Sequence, residues 1–75
     1  MNKYPIGAKL YYFKYANDLP ELRELEVGAI KQTKDGYKYS IGHPGSAYIN
    51  EEICFETPRG AIEYGEAQLR KHLDA

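Results

Sequence analysis

Residues Ile49 to Tyr64, INEEICFETPRGAIEY, place an alternating apolar segment directly before a capped amphipathic helix. Ala47, Ile49, Ile53 and Phe55 share one parity and Glu52, Cys54 and Glu56 the other, as in a strand whose side chains alternate between faces, although Asn50-Glu51 is open to a short turn. Thr57 is a suitable N-cap, and Pro58 suits the first helical position, where its missing N–H leaves no hydrogen bond unmade. At about 100° per residue, Pro58, Ala61, Ile62, Gly65, Leu69, His72 and Leu73 fall within an arc of about 120°, opposite Arg59, Glu63, Glu66 and Arg70. A helix over about 58–73 is therefore expected to cover a β layer, with Phe55 meeting Leu69 across the junction. Gly65 in mid-helix costs ~1 kcal/mol relative to Ala, which close approach to the sheet would offset. Tyr64 falls off the stripe and is expected to be partly exposed.

Ile6, Ala8, Leu10 and Tyr12 alternate with Lys9, Tyr11, Phe13 and Tyr15, which predicts a strand carrying aromatics on both faces. Asn17 to Pro20 has loop chemistry, and Glu21 to Leu25 fits either a helical turn or the start of a strand. The apolar spacing from Leu25 and Val27 to Ile30 breaks alternation around Gly28, predicting a bulge that would bend a small barrel. Lys34-Asp35-Gly36 is the signature of a tight hairpin, returning through inward Tyr37, Tyr39 and Ile41 with Lys38 and Ser40 outward. Gly42 to Ser46 forms a second loop.

With 75 residues and no linker, repeat or low-complexity segment, residues 1–75 read as a single domain near the lower size limit for independent folding. Eight Tyr, two Phe and no Trp force tyrosine into bulky core positions, so some hydroxyls must find partners. A formal net charge of -1 offers no global field for phosphate backbones or anionic lipid. The one cysteine cannot form an internal disulfide, and no apolar run approaches the ~20 residues of a membrane span. A cytoplasmic protein without a membrane segment, monomeric or weakly homodimeric, is expected.

Tyr4-Pro5-Ile6-Gly7 leading into Leu10-Tyr11-Tyr12, the Asp35-Gly36-Tyr37-Lys38-Tyr39 hairpin, and Ile49 to Tyr64 with Phe55 before a Thr-capped helix together resemble small bacterial and phage proteins that have an SH3-like barrel and a C-terminal helix. The resemblance implies a mainly β fold: an SH3-like antiparallel barrel of about five strands over about 4–56, capped by the helix. It carries no activity or catalytic residue. Arg59-Gly60 departs from the acidic first helical turn frequent in such proteins and removes a favourable dipole interaction.

No catalytic, cofactor or metal site is expected. Cys54 sits in an alternating strand with no nearby His in sequence and reads as a structural thiol. His43 and His72 are far apart and lack zinc-ligand spacing; Glu52 and Glu56, on one strand face, read as solvated carboxylates. In an SH3-like barrel the binding groove lies between the long first loop and the hairpin, which directs attention to Tyr11, Phe13 and Tyr15 beside Asp18 and Glu21. Such an acid-rimmed aromatic groove suits a proline-rich or basic segment of a protein or peptide. The competing expectation is that these rings cover the underside of the helix. A second functional expectation is a nucleic-acid-associated barrel, with Lys31, Lys34 and Lys38 around the hairpin and Tyr37 as a stacking ring.

Overall fold

The computed structural model describes residues 2–16 and 19–73, with the side chains of all of these except Tyr15, Ala16 and His72. Five strands form two antiparallel sheets, followed by one helix: β1 (Lys9–Ala16), β2 (Leu19–Glu26), β3 (Ala29–Thr33), β4 (Gly36–Ser40), β5 (Ile49–Asn50) and α1 (Pro58–Leu73). One sheet is the β1–β2 hairpin and the other has the order β3-β4-β5. They do not close into a barrel. A single bridge, Tyr11 to Phe55, returns the chain to β1, with N–H to O distances of 2.7 and 2.9 Å.

The architecture has three layers. Leu10 and Leu25, cross-strand partners on the hairpin, pack with Val27, Tyr39 and Cys54 into the main core. Ile30, Tyr39 and Ile49 form one register row across the second sheet and face that core. The opposite parity of β1 faces α1, where Phe13 lies against Gly65. Both faces of the two-stranded sheet are thus used, in keeping with aromatics at both parities.

Tyr39 is the largest fully buried side chain, and its position defines how the N-terminal segment closes the core. Its hydroxyl donates to the Glu51 carboxylate and accepts the Tyr4 N–H at 3.3 Å. The same carboxylate accepts the Lys3 N–H at 2.9 Å, and the Tyr4 hydroxyl donates to the Cys54 carbonyl at 3.3 Å. Among the described residues, no buried side-chain polar atom lacks a partner.

Several local expectations change. The β2 strand includes Leu19 and Pro20, which leaves only 17–18 between the strands. Pro20 is tolerated because Tyr11 sends its N–H and C=O outward to Phe55; by alternation Glu24 opposite it, and then Leu22 and Pro20's rung, do not carry the β1–β2 bonds of their neighbours. A 3-10 turn over Glu51–Ile53 interrupts the expected strand, so Glu52 and Glu56 do not share a strand face. The Asp35-Gly36 hairpin forms as expected, with Thr33 opposite Gly36 and the Thr33 hydroxyl donating to the Gly36 carbonyl at 3.1 Å.

Gly28 marks the passage between sheets rather than a bulge within one strand. Its N–H donates to the Ser40 carbonyl at 2.8 Å, and a Cβ there would lie 2.1 Å from the Ile41 carbonyl oxygen. The obstacle is backbone, which cannot rotate away as a side chain can. Gly28→Ala is therefore expected to destabilise the fold by on the order of 3 kcal/mol, the upper end for overpacking, and chemical denaturation will measure it. A midpoint equal to that of the unsubstituted protein would show that the crossing is not tight.

Candidate functional site

The helix begins as its sequence requires: Gly60 N–H donates to the Thr57 hydroxyl at 3.1 Å, completing the N-cap. Its packing face is different from the expected one. Buried or half-buried positions are Gly60, Ala61, Tyr64, Gly65 and Gln68, a face turned by about 90° from the apolar stripe at about 100° per residue. A Cβ on Gly60 would lie 3.1 Å from Phe55 atoms, and one on Gly65 would lie 2.7 Å from Phe13 Cδ2. Two rings need space under the helix, and the positions without side chains supply it.

Phe55 packs on Gly60 and Tyr64, with ring centroids 5.5 Å apart in the latter pair. Leu69 lies about 13 Å of helix rise beyond Gly60, so the expected Phe55–Leu69 contact gives way to this earlier one. From Gly60 to Gly65 the helix rises about 7.5 Å, close to the ~6.8 Å between Tyr11 and Phe13, so α1 runs alongside β1 in the same direction. Its turned face leaves Ile62, Leu69 and Leu73 exposed at 38, 46 and 72%. Tyr64 is half-buried, matching partial exposure.

The expected aromatic groove is not assembled as a unit. Tyr11 and Phe13 share the helix-facing parity, and both are half-buried. Glu21 pairs with Lys14, on the opposite parity, and its carboxylate is held by Arg23 at 2.7 Å. Tyr15 is paired with Pro20 in register, and Asp18 lies outside the described residues. The ring of Phe13 lies under α1 at Gly65, in line with the competing expectation for it, and Phe55 lies under the same helix at Gly60.

The basic hairpin is also rearranged. Lys31 and Lys38 are direct cross-strand partners, and Lys38 also pairs with Asn50, giving a row Lys31, Lys38, Asn50 on the outer face of the sheet. Lys34 is exposed in the turn. Tyr37 belongs to the other parity and is half-buried against the core, and it lines a cleft together with Lys38. Tyr48 lies beside Lys31: the ammonium sits over its ring, 5.5 Å from the centroid, and the residue is 43% exposed. Tyr48 precedes the two-residue β5 and carries no turn or strand pattern that would single it out. A cleft of about 210 Å³ is lined by Lys38 and Tyr37 together with Asp35, Asn50, Glu51 and Glu52.

Cys54 is buried, and burial followed by the nearby Glu51 carboxylate pushes its thiol up to about 11. At neutral pH it is protonated and a poor nucleophile. Burial likewise raises the Tyr39 hydroxyl, to about 12, reinforced by the bond to Glu51. For Glu51, burial acts upward, but hydrogen bonds from Tyr39 and Lys3 and the Lys3 charge outweigh it and hold the carboxyl below its ordinary 4.5.

No group of three or more His, Cys, Asp or Glu converges as a metal site among the described residues, and none of their helices is long and apolar enough to cross a membrane. The chain matches no family model, no curated protein and no solved structure.

Two outcomes test this geometry. Gly65→Ala gains helix propensity yet places a Cβ against Phe13, so it is expected to destabilise the protein; in a Phe13→Ala background the same change is expected to stabilise by up to ~1 kcal/mol. Equal effects in both backgrounds would separate the ring from the helix. Because the folded-state Glu51 pKa is depressed, its contribution is present above the unfolded value and lost as pH falls through the folded one. Tyr39→Phe is thus expected to lose on the order of 1–3 kcal/mol at neutral pH. Denaturant titrations at several pH values should show its deficit narrowing below about pH 4.5.

Proposed function

We propose that this protein is a non-catalytic interaction module that docks an amphipathic helix of another protein on the apolar row Ile62, Leu69 and Leu73. The exposure of that row carries the reading: three large apolar side chains, spaced i, i+7 and i+11, remain on one side of a helix whose glycine face is already occupied. The row spans about 16 Å of helix rise, the length of three turns, which suits a helix better than a single anchoring side chain. Arg59, Glu63, Glu66 and Arg70 are exposed along its flank, so a partner helix with charges of both signs beside its own apolar row is complementary.

A second copy fits less well. Antiparallel pairing that sets Ile62 over Leu73 also sets Leu69 over Glu66, burying a carboxylate against an apolar side chain, and parallel pairing stacks like charges. The finer SH3-like reading of the fold is supported by the Tyr11–Phe55 bridge, through which the last β segment returns to the first strand. The absence of a reactive thiol fits a binding role, since Cys54 is buried and protonated.

The test is a photo-crosslinking residue at position 69 in the native host, followed by reconstitution with the purified crosslinked protein and a peptide of its contacting segment. Leu69→Asp combined with Leu73→Asp is expected to lower affinity at least tenfold while shifting the melting temperature little, because both side chains are largely exposed. Crosslinking only to a second copy, or undiminished binding by the double variant, overturns the proposal.

A further inference from the structure

We propose that the outer face of the β3-β4-β5 sheet is a short binding site for single-stranded nucleic acid, in which Lys31 and Lys38 hold phosphates and Tyr48 stacks a base. Three observations place this chemistry together. Lys31 and Lys38 are directly opposite on adjacent strands, a like-charge arrangement that weakens pairing. The Lys31 ammonium lies over the Tyr48 ring, 5.5 Å from its centroid, so a base stacks on the opposite face or displaces the ammonium. The row directly behind, Ile30, Tyr39 and Ile49, is packed in the core, which makes the face a firm platform.

The ring decides between nucleic acid and a bare anion. An exposed tyrosine beside Lys31, with Lys38 directly across the strands from that lysine, offers a π-face for a base within reach of charges for its flanking phosphates, and stacking of this kind tolerates any base. Lys34 is exposed in the adjoining turn, next to Asp35. Lys38 is shared with a cleft that Asp35, Glu51 and Glu52 also line, and their carboxylates disfavour phosphate there. The strand is therefore confined to the side bearing Lys31 and Tyr48. With a net charge of -1 the protein adds no long-range attraction, so association depends on these few contacts and is expected on the order of 10⁻⁴ M at physiological salt.

This face and the leucine row of α1 lie on opposite outer layers, so the nucleic-acid site stands independently of the helix-docking proposal. The measurement is fluorescence anisotropy of a labelled oligothymidine and of a labelled duplex, over a range of salt concentrations. For two or three phosphate contacts the plot of log K against log salt is expected to slope between about −1.4 and −2.1. Lys31→Gln and Lys38→Gln should each flatten it by about 0.7, whereas Lys71→Gln, on the helix, should not. Tyr48→Leu keeps apolar bulk without a stackable ring and is expected to weaken binding about 5- to 100-fold with the slope unchanged. All four positions are exposed or half-buried, and a thermal melt of each variant checks folding. No binding at low salt, a slope insensitive to Lys31 and Lys38, equal affinity for duplex, or Tyr48→Leu binding as well as the unsubstituted protein would each overturn the proposal.

Discussion

The outer helical layer depends on two absent side chains. Gly60 and Gly65 let α1 come close enough for Phe55 and Phe13 to fill the space beneath it, and any Cβ there would meet ring atoms at 3.1 or 2.7 Å. Ring burial is worth more than the helix propensity surrendered: a phenylalanine lost from a packed site costs roughly 3–5 kcal/mol, against ~1 kcal/mol for each glycine. The orientation of the helix follows from that inequality. Once the glycine face is turned inward, the leucines a quarter turn away have nowhere to go but the surface.

The same accounting explains why some of the fold was legible in the sequence and some was not. The Asp35-Gly36 hairpin, the Thr57 cap, the helix span and the inward parity of Tyr37 and Tyr39 all rest on local chemistry, and local chemistry prevails at each; the parity fails only at the end of the strand, where Ser40 is buried and Ile41 exposed. The helix face departs from the apolar stripe because periodicity counts large apolar residues, whereas packing against rings selects small ones. Pro20 reads as loop because proline cannot donate to a ladder, and only the direction of the Tyr11 backbone groups reveals that its rung has no need of that bond. Register separates Glu21 from Tyr11 and Phe13, and pairs Lys31 with Lys38; neither relation is fixed by spacing along the chain. Tyr48 is invisible for a similar reason, since its partner is 17 positions earlier in sequence, counting from Lys31 to Tyr48.

Tyrosine does the work that tryptophan and larger aliphatics do elsewhere, and it brings its hydroxyl with it. At Tyr39 the hydroxyl is placed where a carboxylate and a backbone N–H can both use it, so one buried polar group joins β4, the 3-10 turn and the N-terminal segment. Tyr4 repeats the device at the rim, stacking edge-on against Tyr39 at 5.6 Å and bonding to the Cys54 carbonyl. The apolar core is small, and these bonds specify its arrangement where apolar contact alone would leave choices.

The return of the chain to its first strand has a kinetic meaning. Most pairing is between neighbours in sequence, β1 with β2 and β3 with β4, and such hairpins close early because their loops are short. Tyr11 with Phe55 and Lys3 with Glu51 instead join residues more than 40 positions apart, through a single rung and a single carboxylate. Contacts of this sort form last and release first, so the seam between the two sheets is where exchange of protected amides with solvent should begin, well before either hairpin unravels.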